Sequence, residues 1–345
     1  MRLVCAPEDF AFVEDGALNV VLYGQPGRAV EGQSDRASAG QAAKSDFLRA
    51  GLEAAPRAWD FLSIALSVVT ADLAEWRSKS ADGWTRELEL TIAVADPVFW
   101  QSQAAALEAA LKFLTTDRWR LRFVGGGLQP APPRNPVRPD EDCVVLLSGG
   151  LDSLIGAIDL SVGGRKPLAV SHVVRGDGAN QVAFAQAIGG GLRHLPLNHN
   201  ATSPWRKEES QRARSLIFIA FGVLAGTSLR AYHDGAEVPL NVCENGFIAI
   251  NPPLTGTRLG SLSTRTAHPE FLNRIREILR AADLRIRITN PYEHQTKGEM
   301  MRDCANQMLL KGLAAQSISC GRYRVFNYQH CGRCIPCHVR RAAHV

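Results

Sequence analysis

The chain has 345 residues and a formal net charge of +5; 46% of the residues are hydrophobic and 21% are charged. This length predicts about two domains, and the composition is that of an ordinary soluble globular protein. Lysine and arginine are scattered along the chain, so nucleic acid is a compatible partner but not an indicated one, and an anionic nucleotide explains local basic residues equally well.

The sequence also argues against secretion and membrane insertion. The first five residues are followed closely by Pro7-Glu8-Asp9 rather than by a longer apolar leader. The longest apolar run, 216–226, is too short to span a bilayer. We therefore expect a cytoplasmic protein with no membrane partner, in which four dispersed cysteines remain reduced.

Residues 1–128 predict a smaller α+β domain of unknown role. Apolar alternation predicts strands at 19–22, 87–94 and 119–124, and helical spacing predicts a helix over 99–114. The run 60–70 fits either a strand or a buried helix. Residues 31–44, rich in small and polar side chains, predict a flexible loop.

A proline-rich linker is predicted at 129–142, because its prolines prevent a helix or a central strand from continuing. The rest of the chain, 143–345, alternates short apolar strands with helices. The predicted strands are 143–147, 168–174 and 194–197, and the predicted helices are 152–162, 180–188 and 210–229. This alternation predicts an α/β fold with a doubly wound parallel sheet, whose ligands bind at the carboxyl ends of the strands.

The most informative segment is the turn after the first of these strands, Ser148-Gly149-Gly150-Leu151-Asp152-Ser153. Glycine lets the backbone approach an anion, and the N–H groups at a helix start bind phosphate. Ser148 and Ser153 add hydroxyl donors, and Asp152 is either a Mg²⁺ ligand or a helix cap. The alternative is an N-capped helix after a glycine turn, as in any α/β protein.

Near the C-terminus, Cys331, Cys334 and Cys337 follow one another at two-residue gaps, and Cys320 lies upstream. Four thiolates at such spacing predict a tetrahedral Zn²⁺ site in an element spanning 320–337. The same spacing also suits an iron–sulfur cluster. His330 or His338 could replace one of the thiols as a ligand.

The segment 148–153 resembles the SGGxDS signature of the PP-loop ATP pyrophosphatases, which have an adenine nucleotide alpha hydrolase-like fold. Together with the cysteine pattern it resembles the QueC family of 7-cyano-7-deazaguanine synthases, over residues 143–345. The resemblance implies transfer of AMP from ATP to the carboxylate of 7-carboxy-7-deazaguanine, with pyrophosphate release and then conversion to an amide and a nitrile. It also implies Mg²⁺, and a structural Zn²⁺ on Cys320, Cys331, Cys334 and Cys337.

The chain departs from that family by its N-terminal half, by the segment 210–215 before the long helix, and by the loop 244–269. In these respects it is similar to the QueC-like proteins of bacterial anti-phage operons, the QatC type. That similarity implies a deazapurine-type carboxylate that becomes a nitrile, an amide or an amine conjugate. A partner protein from the same operon could then be the amine acceptor.

Site roles are predicted for the following residues. The phosphates are predicted to bind at the turn residues Ser148, Gly149, Gly150, Leu151, Asp152 and Ser153. The adenine ring is predicted to bind beside Val173. Arg212 and Arg214 clamp a phosphate or a carboxylate, or else belong to a solvated charge cluster. Lys297, which resembles the family's Thr-Lys-x-Glu segment, stabilises the developing charge, or is only a lysine at a helix start. The polar edge of a deazapurine substrate is predicted to form hydrogen bonds with Glu244, Asn245, Asn251, Arg258 and Arg265. The alternative is that these residues form a loop that bonds only to itself.

Two other functions remain open from the sequence. One is RNA thiolation or another tRNA modification by a PP-loop enzyme, which requires a catalytic cysteine or an iron–sulfur cluster in the active site. The other is a catalytically inactive nucleotide-binding scaffold whose N-terminal domain binds partners.

Overall fold

The computed structural model describes residues 1–12, 16–25, 36–173, 178–204, 208–209, 212–251, 265–323 and 325–344. Within these residues the strands form two five-stranded sheets, and every strand pair in both sheets is parallel. Helices connect most of the strands, so the chain has an α/β fold.

The first sheet has the order β3-β2-β1-β4-β5. Its strands are β1 (Arg2–Pro7), β2 (Leu18–Leu22), β3 (Arg36–Ala39), β4 (Glu87–Ala93) and β5 (Arg118–Val124), and its helices are α1 (Gln41–Arg49), α2 (Pro56–Ala74), α3 (Pro97–Ser102) and α4 (Ala104–Thr115). The prediction of an α+β domain was wrong, because every strand pair of this sheet is parallel.

The second sheet has the order β10-β9-β6-β7-β8. Its strands are β6 (Cys143–Leu146), β7 (Pro167–His172), β8 (His194–Leu197), β9 (Val238–Asn241) and β10 (Ile286–Thr289). The helices that follow β6 are α5 (Leu151–Val162), α6 (Gly178–Ala187), α7 (Arg214–Gly226), α8 (Arg230–His233), α9 (Gly246–Ile250), α10 (Pro269–Ala281), α11 (Lys297–Asp303), α12 (Gln307–Leu313) and α13 (Ile335–Ala342).

The two sheets share one topology. When the strands of each sheet are numbered from its own first strand, both have the order 3-2-1-4-5. The helices α2 and α7 occupy equivalent places, since each lies between the third and fourth strands of its half. The halves differ after the first strand: α5 follows β6, whereas the described residues between β1 and β2 contain no helix.

Helices α2 and α7 pack against each other and lie between the two sheets. Every residue of α2 from Ala58 to Ala74 is buried. Its hydroxyl groups are satisfied internally; Ser67 and Thr70, for example, donate to carbonyls one turn earlier. A single hydrophobic cluster therefore continues from the first half into the second, and the domain division at 129–142 stays a prediction.

Most predicted elements of the second half match the structure within a few residues. The ambiguous run 60–70 is helical, as part of α2. The predicted loop 31–44 was wrong where it is described, because β3 and the start of α1 lie there. The predicted helix 210–229 spans only Arg214–Gly226, and residues 210 and 211 lie outside the described part. No helix among the described residues is long and apolar enough to cross a membrane.

Candidate functional site

The predicted strand–turn–helix lies at the carboxyl end of β6, a central strand of its sheet. Gly149 has a φ of +83°, which favours glycine, and Gly150 precedes the first residue of α5. The Ser153 hydroxyl donates to the Gly150 carbonyl at 3.0 Å and accepts the Ser148 N–H at 3.1 Å. The Gly150 N–H donates to the Ser148 hydroxyl at 3.3 Å. The two serines thus hold the turn open, and an anion could take the place of one hydroxyl.

Asp152 does not cap α5, which contradicts one of the two roles considered for it. Its carboxylate is buried, forms an ion pair with the Lys297 ammonium and accepts two hydrogen bonds from Asn245. These come from the Asn245 backbone N–H at 3.2 Å and its side-chain amide at 2.6 Å. Three residues that lie far apart in the sequence, all predicted for the site, therefore meet at one carboxylate.

Local structure explains how Lys297 and Asn245 reach this point. Lys297 is the first residue of α11, whose start is fixed by a capping box between Thr296 and Glu299. Asn245 caps α9 and accepts the Ile248 N–H at 3.1 Å. Both helix starts therefore face α5. The alternative, that Lys297 is merely a lysine at a helix start, does not account for its burial beside a carboxylate.

Glu244 is half-buried beside this group. Its pKa is raised from 4.5 to about 7, because burial disfavours the charged form and the Asp152 carboxylate repels it, while Lys297 acts in the opposite direction. Its backbone is fixed by Asn290, which accepts the Glu244 N–H at 3.3 Å and donates to its carbonyl at 2.8 Å. Asn290 lies in no motif that could have identified it from the sequence.

Two cavities adjoin the turn, and both are lined by Ser148, Ser153, Glu244 and Thr266. The α7 cavity has a volume of about 280 Å³, and its other lining residues are Leu146, His172, Arg212, Arg214, Ser215, Phe218, Ile219, Val242, Cys243 and Ala267. The cysteine-side cavity has a volume of about 660 Å³, and its other lining residues are Gly150, Leu151, Asp152, Ile248, Asn251, Lys297, Ile318, Ser319, Gly321, Arg333, Cys334, Ile335 and Pro336.

The α7 cavity is mostly apolar and has a histidine at its edge. His172 ends β7, and burial, His199 and Arg214 together hold its pKa well below its usual range. Its imidazole is therefore neutral at pH 7. Val173 follows β7 and donates its N–H to the Leu197 carbonyl at 2.8 Å, but it is not among the residues that line either cavity.

Arg212 and Arg214 line the α7 cavity, but the first half of the chain holds Arg212. Its guanidinium lies 4.4 Å from the Trp84 ring and donates to the Thr116 hydroxyl at 3.3 Å. Its backbone N–H donates to the buried Asp72 carboxylate at 2.7 Å. Burial, and then the neighbouring Arg77, lower its pKa to about 10. The alternative that Arg212 belongs to a solvated charge cluster is wrong, because its side chain is only 5% exposed.

A buried charge network lies behind Arg212 that the sequence did not reveal. Asp117 accepts from Arg77 at 2.8 Å and from Arg86 at 2.7 Å. Asp72 pairs with both arginines as well. These side chains are all less than a twentieth exposed, so the network anchors the start of α7 to the first half.

The residues predicted to bind the substrate do not all lie at one site. Asn251 ends α9 in the left-handed conformation and lines the cysteine-side cavity. Arg265 lines neither cavity; it donates to the Phe113 carbonyl at 2.8 Å and stacks on the Phe113 ring. Arg258 lies outside the described residues, as does the whole segment 252–264.

The four predicted cysteines converge on a candidate metal site. Their sulfur atoms all lie within 4.8 Å of one another. The Cys331 and Cys337 sulfurs are 4.0 Å apart, and those of Cys320 and Cys334 are 3.9 Å apart. A tetrahedral ion with ligand bonds of about 2.3 Å requires sulfur separations of about 3.8 Å. Four thiols at these distances therefore fit one metal ion.

Neighbouring backbone groups support these sulfurs. The N–H groups of Arg322 and Cys331 each point at the Cys320 sulfur from 3.4 Å. His330 accepts the Ser319 N–H at 3.2 Å, and neither His330 nor His338 belongs to the thiol cluster. The two histidines are therefore not needed to complete a tetrahedral ligand set.

No protein-family model matches the chain, and no curated protein is detectably similar to it.

Proposed function

We propose that this protein is an ATP-dependent ligase that activates a carboxylate as its adenylate, releases pyrophosphate and transfers the acyl group to an amine. The observation that carries the proposal is the convergence of Asp152, Lys297 and Asn245 on a glycine turn at the carboxyl end of a central parallel strand. Such a turn offers backbone N–H groups and a helix N-terminus to an anion, while the buried ammonium supplies a positive charge.

The α7 cavity suits the nucleotide base. Its apolar walls, Phe218 and Ile219 among them, match a planar heterocycle, and neutral His172 can offer a hydrogen bond. The shared residues Ser148 and Ser153 place the phosphates at the turn. Arg214, at the start of α7, lines the same cavity and is a cation within reach of the nucleotide.

The cysteine-side cavity suits the second substrate. It is the larger of the two and contains Asn251, Ser319 and Arg333, whose polar groups can bind a carboxylate or a heterocycle edge. By the resemblance of the motifs, that substrate is 7-carboxy-7-deazaguanine or a similar deazapurine carboxylate. The product is then a nitrile, an amide or an amine conjugate, and the setting is anti-phage defence with an operon partner.

Formation of the amide or amine conjugate takes two steps, and a nitrile product requires a second ATP to remove water from the amide. A carboxylate oxygen attacks the α-phosphorus of ATP, and the bond to the β-phosphate breaks, so that an acyl adenylate forms and pyrophosphate leaves. An amine then attacks the acyl carbon, loses a proton and expels AMP. Lys297 can exchange its contact with Asp152 for the departing phosphates, which would stabilise the growing negative charge.

Mg²⁺ fits the acidic side of the site. Asp152 and Glu244 are the two carboxylates among the described residues that line the cavities, and they would hold the ion. When bound, Mg²⁺ supplies charge that screens the phosphates. The positive charge of the ion would also offset the burial and the repulsion by Asp152 that raise the pKa of Glu244.

We also propose that the cysteine cluster binds a structural Zn²⁺. Sulfur separations near 4 Å suit one tetrahedral ion. A four-iron cluster spreads its thiolates farther apart, because each thiolate binds a different iron. Four thiols leave no open coordination position, which is typical of structural rather than catalytic zinc.

The thiolation alternative is less well supported. It needs a reactive thiolate near the nucleotide, and Cys243 is the thiol that lines the α7 cavity. Burial, and then the neighbouring Glu244 and Asp152 carboxylates, raise the pKa of Cys243, so the thiol stays protonated. Its sulfur also packs closely against Gly156 of α5.

Pyrophosphate release tests the proposal. Wild-type protein with ATP, Mg²⁺, ammonia and 7-carboxy-7-deazaguanine should release pyrophosphate, and Asp152→Ala should abolish release. Asp303→Asn, an exposed carboxylate at the end of α11, is the matched control and should remain active. Undiminished release by Asp152→Ala would refute the assignment, whereas ATP binding without pyrophosphate from any carboxylate would favour the inactive scaffold.

A further inference from the structure

The wall between the glycine turn and the cysteine cluster is the short segment 317–319. The Ile318 N–H donates to the Gly149 carbonyl at 2.9 Å. Ile318 and Ser319 line the cysteine-side cavity, and a side chain added at Gly150 would lie 3.4 Å from the Ile318 carbonyl. This segment therefore contacts the backbone of the turn directly.

That one hydrogen bond fixes the orientation of a peptide group. The Gly149 carbonyl and the Gly150 N–H belong to the same planar trans peptide, so they point in opposite directions. With the carbonyl held by Ile318, the N–H must point away from the wall, and it meets the Ser148 hydroxyl at 3.3 Å. A peptide between two glycines has few steric barriers to rotation, so the bond from Ile318 is what keeps this N–H available to an anion.

A single guanidinium on α13 holds the wall. Arg340 donates from one nitrogen to the Ser317 carbonyl at 2.9 Å, the Ser317 hydroxyl at 2.7 Å and the Ser319 hydroxyl at 3.2 Å. Its other terminal nitrogen donates to the Ala314 carbonyl at 2.6 Å. The planar fork of arginine suits such a set of acceptors, and lysine cannot reproduce it.

The cysteine cluster connects the segment that carries Arg340 with the wall. Cys320 directly follows Ser319, while Cys337 lies in α13, three residues before Arg340. A metal ion on the four thiols would therefore tie both partners of the Arg340 contacts together. Arg340 itself lines neither cavity, and its hydrogen bonds reach the turn through the wall.

We propose that Arg340 is a positioning residue: by holding 317–319 it fixes the Gly149–Gly150 peptide so that the Gly150 N–H faces the phosphates of ATP. The inference rests on the proposed function for its ligand. Its structural part, control of the turn by Arg340, holds without ATP and is tested separately.

Hydrogen exchange of the zinc-loaded full chain tests the structural part. In Arg340→Ala the Ile318 amide should exchange about tenfold faster than in the wild type, since its segment loses several charge-assisted hydrogen bonds. Arg341→Ala removes a neighbouring, exposed arginine of the same helix and should leave that rate unchanged. Metal content should equal that of the wild type in both variants. An unchanged Ile318 rate in a folded Arg340→Ala protein would overturn the inference.

Kinetics test the functional part. Arg340→Ala should raise KM for ATP about tenfold, with a smaller effect on kcat, and added guanidinium ion should restore part of the loss, whereas Arg340→Lys should not restore it. Should Arg340→Ala fail to fold, Ser317→Ala removes one acceptor at a residue that lines neither cavity, and it should give the same effects in smaller size. An active wild type with an unaltered KM in these variants would refute the positioning role. A wild type that releases no pyrophosphate would instead refute the proposed function, and the exchange result would still decide whether Arg340 controls the turn.

Discussion

Lys297→Met leaves the Asp152 carboxylate buried without its cation. Both side chains of the pair are less than a tenth exposed, so solvent cannot replace the lost interaction. Asn245 still donates two hydrogen bonds to Asp152, but the nearby Glu244 repels it. Breaking a buried pair on one side typically costs about 3–5 kcal/mol. With Asn245 still present, we expect the lower end, about 3 kcal/mol of unfolding free energy.

The assay is urea unfolding at pH 7, followed by the double-mutant cycle. For a chain of this length, about 3 kcal/mol corresponds to a fall in Tm of about 4 °C. Asp152→Asn combined with Lys297→Met should regain most of the loss, because no uncompensated charge remains. The reasoning would be refuted if Lys297→Met lost less than about 1 kcal/mol of unfolding free energy. It would also be refuted if the double variant were no more stable than Lys297→Met alone.

The same substitution has a signed pH dependence. The raised pKa of Glu244 means that the folded state favours its protonated form, so stability falls as pH rises from 4.5 towards about 7. Lys297 limits that fall, because it lowers the pKa of Glu244. The Lys297→Met variant should therefore lose more stability at pH 7 than at pH 5, and an equal loss at both values would contradict this.

Glu244→Gln should flatten the dependence of stability on pH between 4.5 and 7, measured by thermal unfolding, and a retained slope would assign it elsewhere. Gly149→Ala, at a φ of +83°, should cost about 1–2 kcal/mol in urea unfolding and abolish pyrophosphate release; full activity would show that the turn does not bind phosphate. Chelation of the cysteine-bound metal should speed hydrogen exchange across 317–337, and Cys331→Ser should lower the zinc content measured by mass spectrometry. Bound iron, or no bound metal, would contradict the zinc assignment.

The second half of the fold was predictable because its signals are local. Continuous apolar runs mark β6 and β7, helical spacing marks α5, and the glycine pair marks the turn between them. The cysteines were equally readable, since ligand spacing along the chain limits how thiols can meet. Their convergence within 4.8 Å confirms the grouping.

The first half was misjudged because parallel pairing is a long-range property. β3 has only four residues, Arg36–Ala39, and β1 contains a short continuous apolar run at 3–6, so neither shows a clear period. Arg212 and Arg265 show the same limit at the site. Their sequence neighbours suggest nucleotide or substrate contacts, but their side chains bind Thr116 and Phe113, which lie about a hundred or more positions away and are brought close only by folding.

The packing of α2 against α7 has a practical consequence for anyone who wishes to shorten this protein. α7 is apolar on nearly all sides, and its outer surface is covered by α2 rather than by water. Expression of residues 143–345 alone would uncover that surface and leave the start of α7 without Asp72. Truncation should therefore give an aggregating product, even though every residue of the glycine turn and the thiol cluster would still be present.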